Sequence, residues 1–481
     1  MHVGIPAHEA TTRHLGAAYP FAVEPGLGAG GAFIGRDLLG GPFAYDPFEL
    51  YAHGALTNPN MVVIGQIGRG KSAFVKTYLW RQRVFGRRAW VLDPKGEYGE
   101  LARAAGVEPI ALRPGGTIRL NPLDAPAAPT SSRDDGQKEE VVRRRAELLA
   151  SLAAASLGRT LLPTERTALE LAVADVSAPV CPRRGSGRAQ APTLPLVVEA
   201  LLEPTEKSAR AIHTDVAGLA ADGRHVALEL RRLVTGDLRG MFDGPTSPGV
   251  ELDGSFGVLD LSAVYDSPAL GVLMTCATAW LQAGILRSAD AGSTGFADPA
   301  NRADPADRTS TFDRTSPADR TSPIDRTKET TRGDGARGVV VVVDEAWAIL
   351  ANLSAARWLQ SSWKLARAKG VANVAVVHRL SDLDAAGAAG SEQAGLAHGL
   401  LADSETCVVY AQPHGEVERA AGALGLSETE VEIVPHLGRG IALWKVGRRS
   451  FLVQHRLSRF ERSIVDTDAH MGVDRRVGSR R

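Results

Sequence analysis

The residues with chemistry to offer fall into two short stretches. The first, Gly65-Gln66-Ile67-Gly68-Arg69-Gly70-Lys71-Ser72-Ala73, fits the pattern G-x-x-x-x-G-K-S. Glycines at 65, 68 and 70 let a backbone come close to phosphates, and successive N–H groups at a helix N-terminus attract them. Lys71 is placed to reach the β- and γ-phosphates, and Ser72 to coordinate Mg²⁺. The second stretch is Asp344-Glu345, directly after the five valines Val339 to Val343. A carboxylate at a strand end suits a hydrated Mg²⁺, and its neighbour suits polarising an attacking water. Gly65 to Ala73 with Asp344 are therefore the expected ATP and Mg²⁺ contacts, Ser72 and Asp344 on the metal. Lys71 and Glu345 are the expected catalytic groups.

These residues need elements to hold them. Met61 to Ile64 reads as a short apolar strand entering the loop. Lys71 to about Val84 reads as a helix, with Phe74, Tyr78 and Leu79 on one face. A second strand (Ala89 to Leu92), the acidic turn Asp-Pro-Lys-Gly-Glu-Tyr and a helix follow, then a strand and polar loop around Ile110. This alternation predicts a parallel sheet flanked by helices. The valine run predicts a strand buried on both faces. Strands near Val371 and Thr406 and a β-hairpin about Gly447 complete the set. Between residues 131 and 250 the apolar spacing is helical and strand signals are nearly absent.

The implied organisation is a β-rich lead-in (1–55), a first core part with the phosphate loop (56–130), an all-helical insertion (131–250) and a return to the core (251–291). A repeat segment (292–337), a second core part (338–462) and a basic tail (463–481) follow. The repeat segment carries the hexads begun by Asp307, Asp313, Asp319 and Asp325. It is polar and proline-bearing, and a disordered loop is expected because it cannot bury enough surface to offset its ordering entropy.

Composition excludes more than it assigns. With 481 residues and 44% hydrophobic composition, there is ample material for a large core. The formal net charge is zero, so long-range electrostatics do not favour nucleic acid or an anionic membrane. Only the tail, with Arg475, Arg476, Arg480 and Arg481, is locally basic. The widely separated Cys181, Cys276 and Cys407 suggest no disulfide framework. No apolar leader precedes the core, and a cytoplasmic setting is expected. Ser267 to Leu286 carries no charge and is long enough to span a bilayer, but its Thr, Gln and Gly content predicts a helix buried against the sheet. There is no N-K-x-D to read guanine and no L-S-G-G-Q of the ABC transporters.

The motif set "GQIGRGKS", "VLDPKGEY", "LNPLD", "GMFDGPT", "VLDLS" and "VVVDEAW" resembles the ATPase domain of type IV secretion and conjugation assembly ATPases, in the FtsK–HerA group of P-loop motors. The resemblance spans roughly residues 30 to 460, apart from the hexads. It implies a RecA-like α/β fold, ATP hydrolysis with Mg²⁺, a homo-oligomeric and usually hexameric ring, and membrane-embedded channel subunits as partners at the inner face of the cell membrane. It places Asp93 at the end of the second strand. It offers Arg367 as an arginine acting on a neighbouring subunit's ATP, against the alternative of a solvated helix-end arginine. Two departures stand out. Where the family has a Thr-Gln sensor, this chain has Val377 and His378, and His378 can still donate to a phosphate. The family's long N-terminal domain has no counterpart before Met61; either a separate subunit supplies it or the chain does a reduced job. A DNA translocase or coupling ATPase of the same group, and a weakly hydrolysing ATP-gated switch, are the alternative readings; DNA as a partner gains nothing from net charge.

Overall fold

The computed structural model describes residues 26–27, 30–124, 135–178, 191–236, 238–250, 254–267, 269–291, 338–351, 353–366, 370–379, 395–396, 399–401 and 403–465. The hexad segment 292–337 and nearly all of the basic tail lie outside these residues.

The first described elements are a hairpin, β1 (Ala32–Asp37) and β2 (Pro42–Tyr45), then α1 (Pro47–Ala52), whose first turn is capped by the Asp46 carboxylate. The core begins with β3 (Met61–Ile64), α2 (Lys71–Gln82), β4 (Arg88–Asp93), α3 (Gly99–Ala104) and β5 (Ile110–Ala111). Helices α4 (Asp135–Leu157), α5 (Pro163–Ser177), α6 (Leu194–Leu202), α7 (Glu206–Ala211) and α8 (Val216–Thr235) follow, with no intervening strand among the described residues. The longest of these after α4 is α8, 20 residues with Leu219, Val226, Leu230 and Leu233 buried. The chain re-enters the sheet through β6 (Phe256–Asp260), α9 (Leu270–Ala291) and β7 (Val339–Val343). It finishes with α10 (Trp347–Leu350), α11 (Leu353–Ala366), β8 (Val371–Val377), β9 (Thr406–Tyr410), α12 (His414–Leu424), α13 (Glu428–Ile433), the hairpin β10 (Ile441–Val446) and β11 (Arg449–His455), and α14 (Arg459–Val465).

The eleven described strands form one sheet in the order β2-β1-β11-β10-β9-β3-β8-β7-β4-β6-β5. From β9 to β5 every pairing is parallel, and from β9 outward to β2 every pairing is antiparallel. This is an α/β fold of RecA-like type. Period-two alternation splits the core between the two faces of the sheet. Val62, Ile64, Trp90, Leu92, Val339, Val341 and Val343 join the helices α4 to α12 in one cluster. Met61, Val63, Ala89, Val91, Val340 and Val342 join Phe74, Val75 and Tyr78 of α2 in the other. Five consecutive valines suit β7 because both of its faces are covered, and β-branched side chains pack well on a pleated surface.

Helix α2 differs from the one-faced helix its apolar spacing suggests. Lys76, Thr77 and Gln82 are buried along with Phe74, Tyr78 and Leu79, and the regular helix ends at Gln82 with a 3₁₀ turn to Phe85. Its second face is covered by α14 and β1. Arg81 clasps these together. Its guanidinium binds Glu461 of α14 through two bonds of 2.6 and 2.7 Å and donates to the carbonyls of Phe33, Ile34 and Arg456. Helix α9, the uncharged stretch of the sequence, packs under the sheet with Trp280 edge-on to Trp90. No described helix is long and apolar enough to cross a membrane.

Candidate nucleotide site

Strands β3, β8 and β7 lie side by side and end nearly level, with Ile64 paired to Val377 and Val343 to Ala375. Beyond β7, β4 ends at the same height, with Leu92 paired to Val343. The loops after all four strands therefore meet on one edge of the sheet, where parallel α/β sheets bind ligands.

Gly65 leaves β3 against β9 so closely that a Cβ there would lie 2.4 Å from the Cβ of Tyr410. Gly68 and Gly70 take left-handed φ values of 78° and 111°, and Gly70 opens α2. Ile67 is exposed at the tip, Arg69 reaches back to Gln66 at 3.3 Å, and Ser72 and Ala73 sit half-buried in the first turn of α2. The ammonium of Lys71 is buried and donates to the carbonyls of Gly65 and Gln66, the latter at 3.0 Å. Burial pushes Lys71 down to about 8, against the opposing charges of Asp344 and Glu345. A phosphate at the N-terminus of α2 offers this cation a stronger partner than two carbonyls.

Asp344 is buried at the end of β7, and its amide donates to the Leu92 carbonyl at 3.2 Å. Burial, then the charges of Glu345 and Asp93, push its carboxyl up to about 7. A hard divalent cation beside it would favour the carboxylate. Among the described residues no cluster of three His, Cys, Asp or Glu side chains could hold a metal unaided. A Mg²⁺ ion arriving with nucleotide phosphates would keep waters and phosphate oxygens among its ligands, with Ser72 and Asp344 as the side chains that would hold it.

Glu345 has a left-handed backbone, φ 53°, a conformation that costs a non-glycine residue about 1–3 kcal/mol. It persists because its surroundings hold it. The Ala346 amide donates to the Val376 carbonyl at 3.1 Å. The Trp347 indole donates to Oε2, the Lys95 ammonium rests on Oε1, and His378 Nε2 lies 2.5 Å from Oε1. The Glu345 side chain is 1% exposed. Burial opposes its ionisation, but the bonds with His378 and Lys95 prevail and bring it down to about 2. The result is a buried carboxylate kept charged beside a buried carboxyl, two acids driven apart by their environments.

Lys71, Asp344, Glu345 and His378 thus gather on one edge, and Arg367 lies outside the described residues. Asp93 serves the turn after β4: its carboxylate accepts from the amides of Glu97 and Tyr98 at 3.0 and 2.8 Å. Burial raises it to about 6 despite those bonds. Sequence reasoning passed over Lys95, which the Asp-Pro-Lys-Gly-Glu-Tyr turn delivers, and Gln412 after β9, whose amide donates to the His378 carbonyl at 2.8 Å.

No family model matches the sequence, and no curated protein matches it. Solved structures do. VirB4 of Thermoanaerobacter pseudethanolicus superposes with a TM-score of 0.62 at 20% identity, covering 90% of this chain and 99% of that one. The plasmid coupling protein TrwB in complex with ADP and Mg²⁺ gives a TM-score of 0.49 at 14% identity, covering 87% of this chain and 88% of that one. The VirB4 match carries the fold, an α/β core of RecA-like type.

Proposed function

We propose that this chain is an ATP-hydrolysing motor subunit that energises a type IV secretion-like or conjugative transfer apparatus. The observation that carries the reading is the convergence of a phosphate loop after β3 with a buried Glu345, held by Lys95 and His378, at the end of β7, with only β8 between the two strands. The motif series resembling the secretion and conjugation ATPases, on a VirB4-like fold, directs the hydrolysis to that class of machine.

In this reading Gly65 to Ala73 cradle the triphosphate and Lys71 turns from the loop carbonyls to the phosphates. Ser72 and Asp344 would hold Mg²⁺, which would supply neutralisation of the phosphate charge. Glu345 orients and deprotonates the attacking water, and His378 senses the γ-phosphate side of the site. Arg367 acts on a neighbour's nucleotide within a homo-oligomeric, favoured hexameric, ring. The ring docks at the cytoplasmic face of membrane-embedded channel subunits.

The test is ATP turnover by the purified full chain, with and without membrane partners, against Glu345→Gln. Replacing the base is expected to lower kcat by about 10²-fold or more while nucleotide binding persists. A wild type that turns over no ATP in either setting would overturn the motor reading. Equal, near-zero rates for both proteins, with binding intact, would support an ATP-gated switch, the reading that His378 in the place of a sensor glutamine favours. Hydrolysis stimulated by added DNA would shift the assignment to a DNA translocase.

A further inference from the structure

The turn after β4 plays no part in the roles just assigned, yet its side chain enters the site. Resting on the hydrolytic reading of Glu345, we propose that Lys95 is a positioning residue that holds the Glu345 carboxylate and the His378 ring in one arrangement above the phosphate loop.

Sheet order puts Lys95 there. β4 pairs with β7, so the turn after Asp93 stands beside Asp344 and Glu345. Asp93 closes that turn through two amides, and Gly96 takes a left-handed φ of 71° within it. The Lys95 ammonium then meets Oε1 of Glu345, lies 2.9 Å from His378 Nε2, and passes 5.7 Å over the Tyr265 ring. Its partner Glu345 is 1% exposed, whereas Lys95 keeps 24% exposure. The lysine thus bridges the closed carboxylate and the open side of the site.

The contacts are mutually exclusive in a useful way. His378 Nε2 cannot both donate to Glu345 and accept from Lys95. With its proton on Nε2 the ring bonds the carboxylate; with Nε2 bare it accepts from the lysine. Lys95 and Glu345 therefore meet at one ring nitrogen, and the tautomer decides which of them holds it. Among the described residues Nδ1 of His378 is buried with no partner. The backbone beneath is anchored from the far side, where Gln412 donates to the His378 carbonyl. Lys95 with His378 does here, with two side chains from the loops after two strands, the orienting work that a single sensor amide could do.

The experiment compares the full chain with Lys95→Ala and Lys95→Arg, measuring kcat, KM, affinity for a fluorescent ATP analogue, and Trp347 emission taken as the difference from the matching Trp347→Phe protein. Trp347 donates to the same carboxylate, so its emission reports where Glu345 sits whether or not ATP is hydrolysed. Lys95→Ala is expected to lower kcat about tenfold or more, with KM and analogue affinity within about twofold, and to shift Trp347 emission. Lys95→Arg, which keeps a cation and donors, is expected to restore most of the rate and the emission. An unchanged kcat, an affinity loss as large as the rate loss, or unchanged Trp347 emission would each overturn the proposal. If the wild type proves inactive, the motor reading falls, and the emission arm still decides Lys95: a shift sustains its positioning role, and no shift removes it.

Discussion

Replacing Arg81 with methionine tests what binds the phosphate-loop helix to both flanks of the fold. The guanidinium is 15% exposed and its partner Glu461 5% exposed, so the pair is screened far less than a surface ion pair. Methionine fills most of the arginine's volume but strands a buried carboxylate. Breaking one side of such a pair costs about 3–5 kcal/mol, against about 0–1 kcal/mol for an exposed pair. The carbonyls of Phe33, Ile34 and Arg456 also lose a donor, worth about 1 kcal/mol each where water does not replace it. The expected loss for Arg81→Met is therefore about 3–5 kcal/mol. The double variant Arg81→Met/Glu461→Leu should recover about 2 kcal/mol of it, because no charge is left unpaired. Urea unfolding followed by near-ultraviolet circular dichroism measures both, provided the dependence on denaturant keeps its slope. Acid gives an independent check. Burial opposes ionisation of Glu461, but Arg81 and the Ser458 amide prevail and its pKa lies below the ordinary value. Its stabilisation is then fully present above the unfolded carboxyl pKa and is lost as pH falls through the folded one, so the gap between wild type and double variant should narrow in acid. A loss below about 1 kcal/mol for Arg81→Met, or a double variant no more stable than the single, would refute the clasp.

Gly65→Ala should push the loop away from Tyr410, costing about 1–3 kcal/mol of stability and weakening nucleotide binding, read by thermal shift and by titration with a fluorescent ATP analogue. His455, whose Nε2 lies 2.8 Å from the Thr77 hydroxyl, is pushed down to about 4, chiefly by burial and then by the Arg81 charge. Between pH 6.5 and 4 the unfolded chain binds this proton and the folded chain does not. Stability is thus whole above pH 6.5 and falls on acidification, by at most about 2 kcal/mol at pH 5. His455→Gln should flatten that part of the stability profile, and an unaltered slope would rule His455 out as its source.

What the sequence made legible was local. The valine run, the strand before Gly65, the helix after it and the hairpin about Gly447 each declare themselves through apolar spacing or turn chemistry, and together they give the α/β class with a mostly parallel sheet. Order within the sheet was not legible, because it depends on pairings between segments far apart in the chain. Lys95 shows what that conceals. In sequence it is a polar residue in a turn, and only the placement of β4 beside β7 turns it toward Glu345. Gln412 is hidden for the same reason: its motif is unremarkable until β9 lies against β3. The two-sided burial of α2 escaped periodicity because its second cover, α14, arrives from the other end of the chain.

That long-range construction bears on how the protein is made. The strand leading into the phosphate loop has β8 and β9 as its two neighbours, and both are synthesised long after it. The first hairpin waits longer still: the Leu452 amide donates to Asp37 across 415 residues of chain. On the ribosome, then, the loop emerges early but has no sheet to brace it until most of the chain has followed. Chains cut short within the second half would carry every glycine of the loop and its lysine, yet lack the frame that aims them. Chains ending before Val371 are therefore expected to bind a fluorescent ATP analogue more weakly than the full chain.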